Sequence, residues 1–216
     1  MMLRFHAIIM DMDGTLTRPT LDFRRIRVEI GLPPGDLAVE IARLPAAEQA
    51  RAWRIIEAHE TEAKRRQELQ PGCVELLAAC RRTGIKVGIL TRNTRASVDH
   101  LCERFSLCFD AAVTREFPQI KPHPGPVLHM LELWGIAPSA ALMVGDYVHD
   151  IECGRAAGTA TCFFQNLGQP DFGDGADYRA SSMSELHDIL FGPRFTAEAE
   201  KLRAVRTGHH LQKGMQ

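Results

Sequence analysis

Short apolar runs alternate with helical patterns along most of this chain. The runs are Phe5 to Met10, Val87 to Leu90 inside Ile85 to Leu90, Phe109 to Val113, Ala141 to Val144 and Thr159 to Phe164. Short continuous runs bounded by glycine or polar residues predict strands covered on both faces. Val74 to Arg82 carries Leu76, Leu77 and Cys80 at helical spacing and stops at Thr83-Gly84. A glycine there suits the left-handed residue that ends a helix. Arg95 to Phe105 carries Val98, Leu101 and Phe105. Gly125 to Trp134 carries Val127, Leu128, Leu131 and Trp134 before Gly135. Strands joined by helices predict βαβ units. The expectation is an α/β fold, a Rossmann-like parallel sheet with helices on both faces.

Residues 18–70 break this rhythm, with no strand-like run between Pro19 and Pro71-Gly72. Ala46 to Leu69 forms one long helical pattern with Ala50, Trp53, Ile56 and Ala63 toward one side. Shorter helical pieces lie near Phe23 to Ile30 and Asp36 to Leu44. So much helix between two strands exceeds ordinary loop lengths and predicts a small helical insert placed after the first strand. The expected organisation is an α/β core over 1–17 and 71–192, the insert over 18–70, and a C-terminal helix and tail over 193–216. The helix of that last segment is expected within Thr196 to Arg206. The Trp53 and Ile56 stripe is read as packing within the insert.

Composition narrows the function classes. The 216 residues are 45% hydrophobic and 25% charged, ordinary for a globular chain. Lys and Arg number 26 against 27 Asp and Glu, so a nucleic-acid backbone is a poor partner. The longest basic cluster is Lys64-Arg65-Arg66, in a helical pattern. No stretch reaches the roughly 18 apolar residues of a membrane span. The N-terminal run is too short for a signal-peptide core. Six scattered cysteines without a CxxC pair are expected to be free thiols in a reducing cytoplasm.

The chemistry concentrates at strand ends. The first run ends in Asp11-Met12-Asp13-Gly14-Thr15-Leu16. Two carboxylates beyond a buried strand are costly unless something offsets their charge; a hard cation, with a phosphoryl group to act on, would justify the pair. The second run ends in Thr91-Arg92-Asn93, where a hydroxyl and backbone N–H groups can hold phosphate oxygens. Lys121-Pro122-His123-Pro124 follows the third run, and its ammonium could neutralise phosphoryl charge. The fourth ends in Gly145-Asp146-Tyr147-Val148-His149-Asp150, a second acid pair suited to a cation. A helix cap accounts for one of those two acids. His149 is read as a surface histidine. On a parallel sheet all four ends face one way and can converge.

At these four segments the chain resembles the haloacid dehalogenase superfamily of phosphohydrolases, from Asp11 to Asp150. The insert's position resembles the helical-cap subclass that includes phosphoglycolate phosphatases. The resemblance implies Asp11 as the nucleophile forming an aspartyl-phosphate, and Asp13 as the acid that protonates the leaving oxygen and then activates water. It implies Thr91 and Lys121 as phosphoryl holders, with Arg92 and Asn93 beside them. It implies Mg²⁺ held by Asp11, the Asp13 carbonyl and Asp146, with Asp150 supporting the metal or Lys121. The implied activity is hydrolysis of a small-molecule phosphate monoester, phosphoglycolate or a similar metabolite, by a monomer or homodimer. Asp13 favours phosphate esters over C–halogen or C–P bonds, because an alkoxide leaving group needs a proton and a halide does not. A sugar phosphomutase and a catalytically silent interaction module share the fold. Residues 18–70 carry no evident sugar-selecting signature, and no signature acid is lost.

Overall fold

The computed structural model describes residues 3–192 apart from Leu21 and Asp36; the expected helix within Thr196 to Arg206 lies outside the described residues. The elements in chain order are β1 (Ala7–Met10), α1 (Phe23–Ile30), α2 (Leu37–Ala42), α3 (Ala46–Arg66), α4 (Cys73–Thr83), β2 (Lys86–Leu90), α5 (Arg95–Phe105), β3 (Ala111–Val113), α6 (Gly125–Trp134), β4 (Ala141–Gly145), α7 (Val148–Ala157), β5 (Ala160–Phe164), β6 (Tyr178–Ala180) and α8 (Met183–Phe191). Two compact units emerge. One is Thr17–Glu68; the other joins the chain up to Leu16 with the chain from Leu69 onward.

The larger unit is built on a six-stranded sheet in the order β3-β2-β1-β4-β5-β6, with every pairing parallel. β1 lies between β2 and β4, and Ile8, Ile9 and Met10 are wholly buried. Each such side chain stabilises the fold by about 1.5–3 kcal/mol relative to exposure. Successive residues point to opposite faces. Ile8 and Met10 join Leu76 and Cys80 of α4, Val98 and Leu101 of α5, and Leu186 of α8. Ala7 and Ile9 join Val127 and Met130 of α6 and Cys153 of α7. Helices therefore cover both faces, as the parallel sheet requires.

Three elements stand outside the hydrophobic pattern read from the sequence. β6 is three residues long and buries only Ala180. α7 buries Asp150 and Gly154 beside Ile151, Cys153 and Ala157, so its inner face does not read as apolar. α8 buries Leu186 and Leu190, a helical spacing the sequence did carry, behind the Ser182 cap that accepts from the Glu185 N–H.

The smaller unit, described by itself, packs α1, α2 and α3 around Ile26, Ile41, Ala52 and Ile56. Its two ends meet where the Arg18 N–H donates to the Glu68 carbonyl at 2.9 Å. The expected stripe on the long helix is displaced. Ala52 and Ile56 face inward, whereas Ala50 is exposed and Trp53 is 45% exposed. α3 also ends at Arg66, short of Leu69. Ala52 and Ile56, four apart, share the inner face, and Trp53, about 100° around the helix from Ala52, lies at its edge.

Candidate active site

Strand order reverses between β1 and β4, the place where an open parallel sheet leaves a crevice beyond its carboxyl ends. Asp11 leaves β1 with its N–H bonded to the Val144 carbonyl of β4 at 2.9 Å. The loop closes where the Leu16 N–H donates to the Asp11 carbonyl at 3.3 Å. Gly14, inside that loop, adopts φ +87°. A Cβ there would lie 2.0 Å from Asp146 Oδ2, so only glycine admits the second acid. Gly145 performs the same service at the end of β4: a Cβ would lie 2.1 Å from Asp150 Cγ.

Lys121 is the electrostatic hub. Its Nζ donates to Asp11 Oδ1 at 2.5 Å and to Asp150 Oδ1 at 2.6 Å. Lys121, Asp11 and Asp150 are all buried. Asp150 Oδ2 accepts the Tyr147 N–H at 3.1 Å. One acid thus both caps α7 and anchors the lysine. Asp11, Asp146 and Asp150 each offer a carboxylate oxygen within 4.8 Å of the others.

Three carboxylates around one ammonium would leave net negative charge if all were ionised, within a largely buried cluster. Burial, with Asp150 and Asp13 adding to it against Lys121, pushes Asp11 up to about 7. Burial, with Asp11 and Asp150 adding to it, pushes Asp146 up to about 8. Burial works against the Lys121 charge, but Asp11 and Asp150 outweigh it and hold the ammonium above its usual range. Hard oxygen donors with uncompensated negative charge fit a divalent cation such as Mg²⁺. The Asp13 carboxylate is not one of the three clustered acids.

The other predicted residues sort as follows. Thr91 is buried, and its Oγ1 accepts the Asn93 N–H at 3.0 Å. The Asn93 side chain is held on both sides. Its Oδ1 accepts the Thr94 N–H at 2.8 Å, and its Nδ2 donates to Asp13 Oδ2 at 3.3 Å. Arg92 Nη1 lies 3.0 Å from His149 Nδ1. His149 is half-buried, its ring edge-on to Tyr147 at 5.0 Å. The pair spans β1, because Arg92 follows β2 and His149 follows β4.

Two polar residues outside the sequence motifs also reach the site. Asn166 Nδ2 donates to the Gly14 carbonyl at 2.7 Å and to Asp146 Oδ2 at 3.2 Å. Gln70 Nε2 donates to Asn166 Oδ1 at 2.8 Å. The one sequence signal for Asn166 was its place just past the fifth apolar run, at a strand end. The cysteines take no part: burial pushes Cys73, Cys80, Cys153 and Cys162 up to about 12, which keeps them as inert thiols.

Comparison with known proteins gives the following. A family described as haloacid dehalogenase-like hydrolase matches residues 19–164. A haloacid dehalogenase-like hydrolase domain-containing protein of Arabidopsis thaliana is 33% identical over 206 residues, covering 87% of this chain and 84% of that protein. An N-acetylmuramic acid 6-phosphate phosphatase of Pseudomonas aeruginosa is 31% identical over 221 residues, covering 87% of this chain and 96% of that protein. Among solved structures, a predicted phosphoglycolate phosphatase from Haemophilus somnus superposes with a TM-score of 0.70 at 21% identity, covering 88% of this chain and 99% of that one.

Proposed function

The chain belongs to the haloacid dehalogenase-like hydrolase family, a phosphatase by its relatives, and we propose that it hydrolyses a small phosphate monoester through a phosphoryl group carried on Asp11. The observation that carries this reading is Lys121 bridging Asp11 and Asp150 within a three-carboxylate cluster at the β1/β4 crevice. Asp11 attacks phosphorus, and the bond from phosphorus to the ester oxygen breaks. Asp13, steered by Asn93, gives its proton to that departing oxygen. Asp13 then takes a proton from water as the water oxygen attacks phosphorus. Inorganic phosphate leaves and the Asp11 carboxylate is restored. Thr91 and Lys121 face the phosphoryl oxygens.

The residues that would hold Mg²⁺ are Asp11, Asp146 and the Asp13 carbonyl, with Asp150 in support. When bound, the ion supplies positive charge that brings Asp11 and Asp146 to their ionised forms and offsets repulsion between carboxylate and phosphate. Lys121 is already in place to do part of this.

Substrate selection is assigned to the helical unit Thr17–Glu68, on its resemblance to the helical-cap subclass. The substrate class is a small anionic metabolite. Phosphoglycolate and N-acetylmuramic acid 6-phosphate, named for the relatives, are the first two to assay. The reduced, buried thiols suit a cytoplasmic setting. A sugar phosphomutase would release an isomeric sugar phosphate in place of free phosphate.

The test is hydrolysis of p-nitrophenyl phosphate by wild type and Asp11→Asn, with Mg²⁺ and with EDTA. Metal-dependent turnover lost in the variant supports the reading. Turnover retained in Asp11→Asn, or indifferent to EDTA, overturns it.

A further inference from the structure

We propose that Asn166, held by Gln70, is a positioning residue that fixes the Asp146 carboxylate for divalent-cation binding. This rests on the metal reading above and extends it to two residues outside the signature segments.

Asn166 is nine-tenths buried and lies past the end of β5, the neighbour of β4 in the sheet. Its side chain meets two acceptors on one side, the Gly14 carbonyl and Asp146 Oδ2. On its other side it meets one donor, Gln70 Nε2. That arrangement settles which way the amide faces: turned over, its oxygen would oppose a carbonyl and a carboxylate. Gln70 Nε2 also lies 3.4 Å from the Gly14 carbonyl, and the Gln70 N–H is bonded to the Leu16 carbonyl at 2.9 Å. Both amides are therefore tied to the same loop that carries Asp11 and Asp13.

The consequence is geometric. An N–H donor on Oδ2 stops the carboxylate rotating toward solvent. It also pins Asp146 over Gly14, whose missing Cβ leaves room for it. A metal-ligating carboxylate held by an outer hydrogen bond loses about 10- to 100-fold in affinity when that partner is removed.

The experiment measures Mg²⁺ binding by titration calorimetry on wild type, Asn166→Ala, Gln70→Ala and the double variant, with circular dichroism to confirm folding. The expected result is a Kd for Mg²⁺ raised about tenfold or more in Asn166→Ala. Gln70→Ala gives a smaller rise, and the double variant is no worse than Asn166→Ala, because both act through one amide. Phosphatase activity of Asn166→Ala returns as Mg²⁺ is raised, which a merely loosened fold would not do. Wild-type binding with an unchanged Kd in folded Asn166→Ala overturns this inference alone. Additive losses in the double variant overturn the relay through Gln70. Absence of Mg²⁺ binding by wild type overturns the metal reading and this inference with it.

Discussion

Asn93 donates its side-chain N–H to Asp13 Oδ2 at 3.3 Å while its own Oδ1 is fixed by the Thr94 N–H at 2.8 Å. The residue that begins the α5 cap thereby orients the carboxyl assigned to proton transfer. Thr94 is the α5 N-cap, accepting from the Ser97 N–H. The chain from helix cap to Asn93 to Asp13 is a continuous set of hydrogen bonds.

Removal of the Asp13 carboxyl should therefore depend on the leaving group. Asp13→Asn is expected to lose about 10²- to 10⁴-fold in turnover of an alkyl phosphate. With p-nitrophenyl phosphate, whose leaving group departs without a proton, the first chemical step suffers less. Asn93→Ala should show the same selectivity at smaller size. Comparing the rate of leaving-group release in the first turnover of the two esters checks this; equal losses on both contradict it.

Lys121→Met should destabilise the metal-free chain. The substitution keeps bulk but leaves Asp11 and Asp150 buried without their cation. Breaking a buried pair in this way costs about 3–5 kcal/mol. In a chain of this size that is a fall in Tm on the order of 10 °C. Added Mg²⁺ should return part of it, since the ion replaces the missing positive charge. Thermal melts with EDTA and with Mg²⁺ measure both effects.

Metal-free stability should fall with rising pH. In the folded chain Asp11 and Asp146 keep their protons up to about 7 and about 8, against 3.8 when unperturbed. Between about pH 4 and pH 8 the folded state binds more protons than the unfolded state, so this contribution is full at the low end and lost toward the high end. Mg²⁺ competes with the same protons, so its affinity should rise across that window. Melts at about pH 5 and about pH 8 should show the Mg²⁺-induced gain in Tm growing with pH. A gain independent of pH would contradict the charge balance assigned to the cluster.

Gly14→Ala should abolish Mg²⁺ binding and turnover together. Its φ of +87° is strained for alanine, and the new Cβ would meet Asp146 Oδ2. The backbone strain alone costs on the order of 1 kcal/mol. The displaced carboxylate accounts for the lost site. Calorimetry on a variant confirmed as folded separates the two.

The strands that carry the site were legible because each is a short, mostly apolar run followed by a chemically distinctive residue: Met10 before Asp11, Leu90 before Thr91, Gly145 before Asp146. A residue such as Asn166 was not legible, because a single asparagine after a strand has many ordinary uses. Its meaning comes from partners far off in sequence, such as the carbonyl of Gly14, 152 positions away. The sequence could show that Asn93 follows Thr91; it could not show that its amide turns toward Asp13. The surroundings of His149 were hidden for a similar reason. Helix α7 brings it beside Arg92 and Tyr147, a contact between strand ends that no local pattern records. α7 itself was hidden because its buried face includes Asp150, a polar residue satisfied by Lys121 and the Tyr147 N–H.

The central claim is that a phosphoryl group passes through Asp11. The most direct measurement is mass spectrometry of acid-quenched enzyme after reaction with p-nitrophenyl phosphate and Mg²⁺, using Asp13→Asn to slow breakdown of the intermediate. The account predicts one added phosphoryl group on the peptide that contains Asp11, absent from Asp11→Asn. Turnover by an enzyme that carries no phosphoryl group at Asp11, or that survives Asp11→Asn, would contradict it.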